Sequence, residues 1–218
     1  MTRLSVDVSD MGERGLLLTA DGPLSIAAQD RIWRLASDHG LWPGVTQTVP
    51  GVNNILVLFD PDEVSAAALT EMILETWDDP PDAATATAEH VIPVHYGGDA
   101  GFDLEEVADI AGMSPEEYAA RHAAGDYVVM TLGAYPGFGY LGGLDEALAV
   151  PRRATPRSEV AAGAVMIGGA QTAVMTTTSP TGWNVIGWTD AALLDLSSDR
   201  PSKLRPGDRV RFEAEVAR

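Results

Sequence analysis

Arg152, Arg153 and Arg157 fall within six residues and form the only such cluster of arginines in the chain. Guanidinium groups grip planar oxyanions through paired N–H donors, so the cluster is a candidate site for a carboxylate or a phosphate. Surface ion pairing with acidic side chains, including those of a partner protein, is the alternative. Gln171 and Thr172 are placed either to orient a carbonyl or phosphate from a strand end or to form a buried hydrogen-bonded pair. Trp183 follows a tight turn, as a stacking surface for substrate or as a core or interface residue. His122 ends a predicted helix, where it serves either as a general base or as a partner of the helix dipole.

Gly137, Gly139 and Gly142 spell G-x-G-x-x-G. A dinucleotide turn needs a strand before that spelling and a helix after it. Here the residues after Gly143 give barely two helical turns before Pro151, in β-rich surroundings. The stretch is therefore read as a loop whose glycines permit tight turns while Phe138, Tyr140 and Leu141 pack inward. Lys203 is the only lysine and lies outside any glycine loop, which excludes a P-loop. His39, His90 and His95 lack metal-ligand spacing with carboxylates, so no intrinsic metal site is expected. No Ser-His-Asp set is legible, and one chain does not supply a complete active site. That points to a site shared between subunits.

The 218 residues carry 45% hydrophobic content, enough for one full core or two small domains. The net charge of −18 argues against a nucleic-acid binder. Residues 1–150 hold five arginines and 25 acidic residues, whereas residues 151–218 are near balance. The absence of cysteine removes disulfides and thiolate chemistry. No apolar run reaches membrane-spanning length, and the N-terminus lacks the apolar core of a signal peptide, so a cytoplasmic protein is expected.

The elements that must position these residues fall in two groups. Strands Leu4–Val8 and Gly15–Thr19, a helix opened by Asp21-Gly-Pro23, strands Val45–Val49 and Ile55–Phe59, and a helix opened by Asp60-Pro-Asp-Glu63 follow in the order ββαββα. They predict a small α+β domain over residues 1–85, with helices on one face of a mostly antiparallel sheet. Asp78–Ala88 has linker composition. Residues 86–218 begin with the strand His90–Tyr96. Helices over Asp103–Ala111 and from Ser114 to about His122 follow. The strands Tyr127–Leu132, Val165–Ile167, Ala173–Thr177, Asn184–Trp188 and Val210–Val216 come next, as expected of a barrel or sandwich.

Four blocks carry a resemblance: Pro136-Gly-Phe with Tyr140-Leu-Gly-Gly-Leu-Asp145, Pro151-Arg-Arg with Pro156-Arg157, Ile167-Gly-Gly with Gln171-Thr172, and Ser179-Pro with Gly182-Trp183. Tyr96-Gly-Gly98 and Pro206-Gly-Asp208 extend it. In this order and spacing the chain resembles the KipI / allophanate hydrolase subunit 1 family, which includes the B subunit of bacterial 5-oxoprolinase. The resemblance is weakest in the first 60 residues. Trp188 stands where members commonly have arginine. The resemblance implies a cyclophilin-like β-barrel for the second domain. It implies a partner of the type of allophanate hydrolase subunit 2 or the 5-oxoprolinase C subunit, with a LamB/YcsF-type third protein. It implies cleavage of 5-oxoproline to glutamate with ATP, whose Mg would arrive with the nucleotide at a shared site. On that reading His122, Arg153 and Arg157 are the catalytic candidates. Gly137, Phe138, Tyr140, Gly142, Arg152, Gln171, Thr172 and Trp183 are the candidates for binding substrate or nucleotide. The family also contains an inhibitor of a sensor histidine kinase, so a regulatory binding protein is the alternative.

Overall fold

Leu16, Leu18 and Ala20 are buried on one strand, and Ile55, Val57 and Phe59 on another. This period of two commits one sheet face to a core. In a computed structural model, which describes residues 4–38, 40, 42–79 and 88–215, the chain divides into two compact units, Met1–Ala86 and Thr87–Arg218. His39, Val216 and most of the Asp78–Ala88 segment lie outside the described residues.

The first unit runs β1 (Val6–Asp10), β2 (Gly15–Ala20), α1 (Ile26–Asp38), β3 (Val45–Pro50), β4 (Asn54–Phe59) and α2 (Ala66–Asp78). Its sheet has the order β1-β2-β4-β3, antiparallel throughout. Ile32 and Leu35 of α1 and Leu69, Ile73 and Trp77 of α2 join the sheet residues in one core.

Both helices start later than their sequence signals suggest. Gly22 sits at φ +90°, and the Ser25 hydroxyl accepts from the Ala28 N–H at 3.1 Å, so α1 begins after Ser25 rather than at Pro23. Asp60-Pro-Asp-Glu63 forms a turn, in which the Asp60 carbonyl accepts from the Glu63 and Val64 N–H groups. Ser65 is the N-cap of α2, accepting from Ala68 N at 3.2 Å with extended backbone. Ser65→Ala should therefore lower the stability of this unit by about 1 kcal/mol. A urea midpoint shift with unchanged slope is the expected reading, and no shift would remove the cap.

The second unit runs β5 (Glu89–Tyr96), α3 (Leu104–Ala111), α4 (Pro115–Ala123), β6 (Tyr127–Leu132), β7 (Gly139–Gly142), β8 (Arg157–Val160), β9 (Ala164–Gly168), β10 (Gln171–Val174), β11 (Ser179–Thr181), β12 (Asn184–Trp188) and β13 (Arg209–Ala214). Seven of these strands close a barrel in the order β10-β7-β6-β13-β5-β12-β9. Its one parallel junction is β5–β13. The interior is filled by residues such as Ile92, Val129, Leu141, Val165, Ile186 and Val210.

All five residues of β9 are buried, because its outer face is also covered. A second cluster there joins Met166, Ala173 and Val185 to Val160, Phe138 and Trp183, beneath the two-stranded β8–β11 ribbon. The fold class is thus an α+β domain plus a β-barrel domain. No helix among the described residues is long and apolar enough to cross a membrane.

The glycine-rich stretch is strand, not a nucleotide turn. Tyr135–Phe138 closes a tight turn with Gly137 at φ +72°, and Gly139–Gly142 becomes β7 paired with β6. Leu141 points into the barrel and Phe138 into the outer cluster. β7, β8 and β11, of four, four and three residues, are too short to show a period in sequence.

Candidate functional site

Pro151–Pro156 crosses the barrel beside the Ser179–Trp183 turn. The Arg153 N–H donates to the Gly182 carbonyl at 2.8 Å, and the Asn184 amide donates to the Pro151 carbonyl at 3.0 Å. This tether sends successive arginines in different directions.

Arg153 and Arg157 converge on Asp103, the residue that opens α3. Arg157 grips its carboxylate with two nitrogens at 2.7 and 2.6 Å, and Arg153 reaches it at 3.1 Å while also meeting Glu106 at 3.3 Å. Asp103 is 2% exposed and accepts a further bond from Val185 N at 2.7 Å. The two arginines expected to hold an external anion are therefore committed to an internal one. Sequence does not reveal this, because Asp103 lies about fifty positions upstream, where it spells only a helix start.

Arg152 differs. Its guanidinium lies over the Trp183 ring, 5.2 Å from the centroid. Among the described residues it makes no ion pair. Trp183 is buried, packed edge-on to Phe138 and Tyr140, each at 6.0 Å between centroids. The indole rests on Gly168, where an added Cβ would sit 2.5 Å from the ring. Gln171 is the direct cross-strand partner of Gly168 and so projects from the same sheet face. Its amide nitrogen Nε2 is buried without a hydrogen-bond partner. The structure thus gathers Phe138, Tyr140, Arg152, Gln171 and Trp183 on the outer face of the barrel. Gly137 and Gly142 support the chain that carries Phe138 and Tyr140.

His122 and Thr172 are not in that group. Thr172 alternates with Gln171 and faces the interior, where its hydroxyl donates to the Met166 carbonyl at 2.9 Å. The same oxygen must then accept from His122 Nε2–H, also at 2.9 Å. This leaves Nδ1 to accept from the Tyr96 hydroxyl at 2.7 Å. His122 is fully buried, stacked on Phe212 at 4.7 Å, and desolvation pulls its pKa down to about 3. With both nitrogens engaged and no ring surface exposed, His122 holds the core together. The expectation of a general base is corrected on that ground.

A cleft of about 560 Å³ opens beside β5 and the starts of α3 and α4, lined by Tyr96, Gly97, Gly98, Phe102, Glu105 and Glu116 among others. Phe102 is 53% exposed and carries the Arg157 guanidinium 4.5 Å from its ring centroid. Tyr96-Gly-Gly98, a motif with no assigned place in the sequence reading, belongs to this wall. The positive φ of both glycines, +71° and +53°, turns the chain into it.

Residues 6–204 match the family model described as carboxyltransferase domain, subdomain C and D. The chain is 43% identical to the B subunit of the 5-oxoprolinase of Escherichia coli O157:H7, over 93% of each protein. The crystal structure of TTHA0988 superposes with TM-score 0.76 at 34% identity, over 94% of this chain and 40% of that one. The chain therefore spans less than half of that larger protein. The Kluyveromyces lactis urea amidolyase superposes with TM-score 0.81 at 19% identity, over 98% of this chain and 15% of that one, a likeness of fold.

Proposed function

The chain belongs to the carboxyltransferase-domain family, subdomain C and D, with the 5-oxoprolinase B subunits, and on that premise we propose that it is one component of a cytoplasmic ATP-dependent lactam hydrolase. The proposed reaction converts 5-oxoproline, ATP and water to glutamate, ADP and phosphate. The partner is a protein of the type of allophanate hydrolase subunit 2 or the 5-oxoprolinase C subunit, joined by a LamB/YcsF-type protein. The observation that carries this reading is the 43% identity to a named B subunit along nearly the whole of both chains.

Amide resonance makes a lactam carbonyl a poor electrophile. ATP, brought with Mg, supplies an activating phosphoryl group for its oxygen. What this chain's residues add is positioning and charge, which dominate phosphoryl transfer. The surface around Arg152 and Trp183 offers both: a guanidinium held by stacking and an amide N–H without an internal acceptor.

The test is to purify the chain alone and co-expressed with the C-subunit-type and LamB/YcsF-type proteins, then measure phosphate and glutamate formed from 5-oxoproline and ATP. Substrate-dependent turnover is expected only from the assembly. Turnover by the lone chain, or a stable assembly inert toward 5-oxoproline, would refute the proposal.

A further inference from the structure

We infer that Arg152, stacked on Trp183, and the orphaned amide nitrogen of Gln171 form a two-point receptor for a small lactam carboxylate, with Arg152 taking the carboxylate and Gln171 the ring carbonyl. The inference rests on the function proposed above and divides the work within that site.

The arginine segment has one guanidinium to spare. Arg153 and Arg157 have their carboxylate in Asp103. Arg152, one residue away, lies over Trp183 instead. The guanidinium lies over the indole and, among the described residues, has no carboxylate partner, so its N–H groups are free for a ligand. A guanidinium presents paired N–H donors that match a carboxylate bidentately. Trp183 cannot drift, because Phe138 and Tyr140 brace its edges and Gly168 lies under it. The braced indole thus biases the exposed guanidinium toward one position before a ligand arrives, which reduces the entropy lost on binding.

Gln171 supplies the second point. It leaves the ladder opposite Gly168, so its side chain starts roughly 5 Å from the spot on which the indole rests. Its Nε2 is buried and has no acceptor within the protein. A buried donor left unmade is costly, and because the Gln171 side chain is only partly buried, its amide can turn outward to meet a ligand carbonyl that satisfies it. A lactam acid presents both groups, an anion and a neutral carbonyl, on one small ring. A phosphate would engage Arg152 but offers no neutral carbonyl to Gln171.

The test compares two ligands on the assembled complex by calorimetry: 5-oxoproline, and 2-pyrrolidinone, which keeps the lactam and lacks the carboxylate. Arg152→Ala should weaken 5-oxoproline about 10–100-fold, the range for a lost charge-assisted pair, and leave 2-pyrrolidinone unchanged. Arg152→Lys should recover only part of the loss. Gln171→Met, which keeps the packing volume, should weaken both ligands alike. Each variant should pull down the partner protein as the wild type does. Equal weakening of both ligands by Arg152→Ala, unchanged binding in either Arg152→Ala or Gln171→Met, or loss of the partner protein would overturn the inference, the last by making Arg152 an interface residue. Because the readout is equilibrium binding, a complex that holds 5-oxoproline in this way yet fails to hydrolyse it would refute the proposed reaction and leave the receptor standing.

Discussion

Between pH 6.5 and pH 4 the barrel unit is expected to lose roughly 3 kcal/mol of stability through His122 alone. The cause is burial. His122 has no exposed surface, and desolvation lowers its pKa to about 3, against about 6.5 in an unfolded chain. The folded state therefore holds the ring neutral while the unfolded state takes up a proton as the pH falls. Stability from this group is fully present above pH 6.5 and drains away as the pH drops toward 3. The surroundings offer a proton no compensation. The faces around the ring are Tyr96 from β5, Tyr127 from β6, Thr172 from β10 and Phe212 from β13, none of them anionic. Burial pushes the phenols of Tyr96 and Tyr127 upward, so they remain neutral too. A proton on Nδ1 would also face the Tyr96 hydroxyl proton, donor against donor. Urea unfolding of wild type and His122→Gln at pH 7, 5.5 and 4.5 isolates the effect. His90 against Asp208 and His95 against Glu215 are common to both proteins and cancel. The variant starts less stable, and its stability should fall less steeply with acid. Parallel slopes would show that His122 does not titrate between the two states.

That histidine also marks where sequence reading stops. The end of α4 is legible, and a histidine in a last helical turn has an ordinary explanation in the helix dipole. What turns His122 inward is its spacing from Tyr118, four residues earlier, which puts both on the buried stripe of a nine-residue helix. That i, i+4 signal is present in the sequence. Tyr127–Leu132 and Asn184–Trp188 are legible to the residue, because turn residues flank β-rich runs that the barrel buries on at least one face. The starts of α1 and α2 are not, since Pro after Asp or Gly spells a turn as readily as a first helical turn, and only the hydroxyls of Ser25 and Ser65 decide between them. In the candidate site, sequence motifs point to Arg152, Gln171, Trp183, Phe138 and Tyr140 alike. Their sorting from Arg153, Arg157, His122 and Thr172 is invisible there, because it depends on strand alternation at Gln171-Thr172 and on one acidic residue fifty positions upstream.

Asp103 is that residue, and Asp103→Ala is expected to destabilise the barrel unit by about 3 kcal/mol. The side chain accepts four hydrogen bonds, two from Arg157, one from Arg153 and one from Val185 N. It thereby ties the start of α3 to β12 and to both ends of the arginine segment. Removing one partner of such a buried pair costs about 3–5 kcal/mol, because the remaining charges lose their counter-ion and a buried N–H loses its acceptor. The lower end applies here, since the Arg153 and Arg157 side chains are 26% and 28% exposed and water relieves part of their charge. Arg157→Ala should cost less than Asp103→Ala, since Asp103 would keep Arg153 and Val185 N. The order of the two effects is the sharper test: a network centred on Asp103 makes the carboxylate, and not either arginine, the costliest member to lose. For a unit of this size the aspartate variant should melt roughly 10 °C lower. Asp103→Asn keeps an acceptor for Val185 N and should fall between the two. Differential scanning calorimetry of the three variants decides the matter, and equal melting temperatures for Asp103→Ala and Arg157→Ala would show that the carboxylate is not the hub. If the order holds, Arg152 owes part of its position to Asp103 without touching it, because the segment that carries Arg152 across Trp183 is held before it by the Asn184 bond to the Pro151 carbonyl and after it by two arginines that this one carboxylate retains.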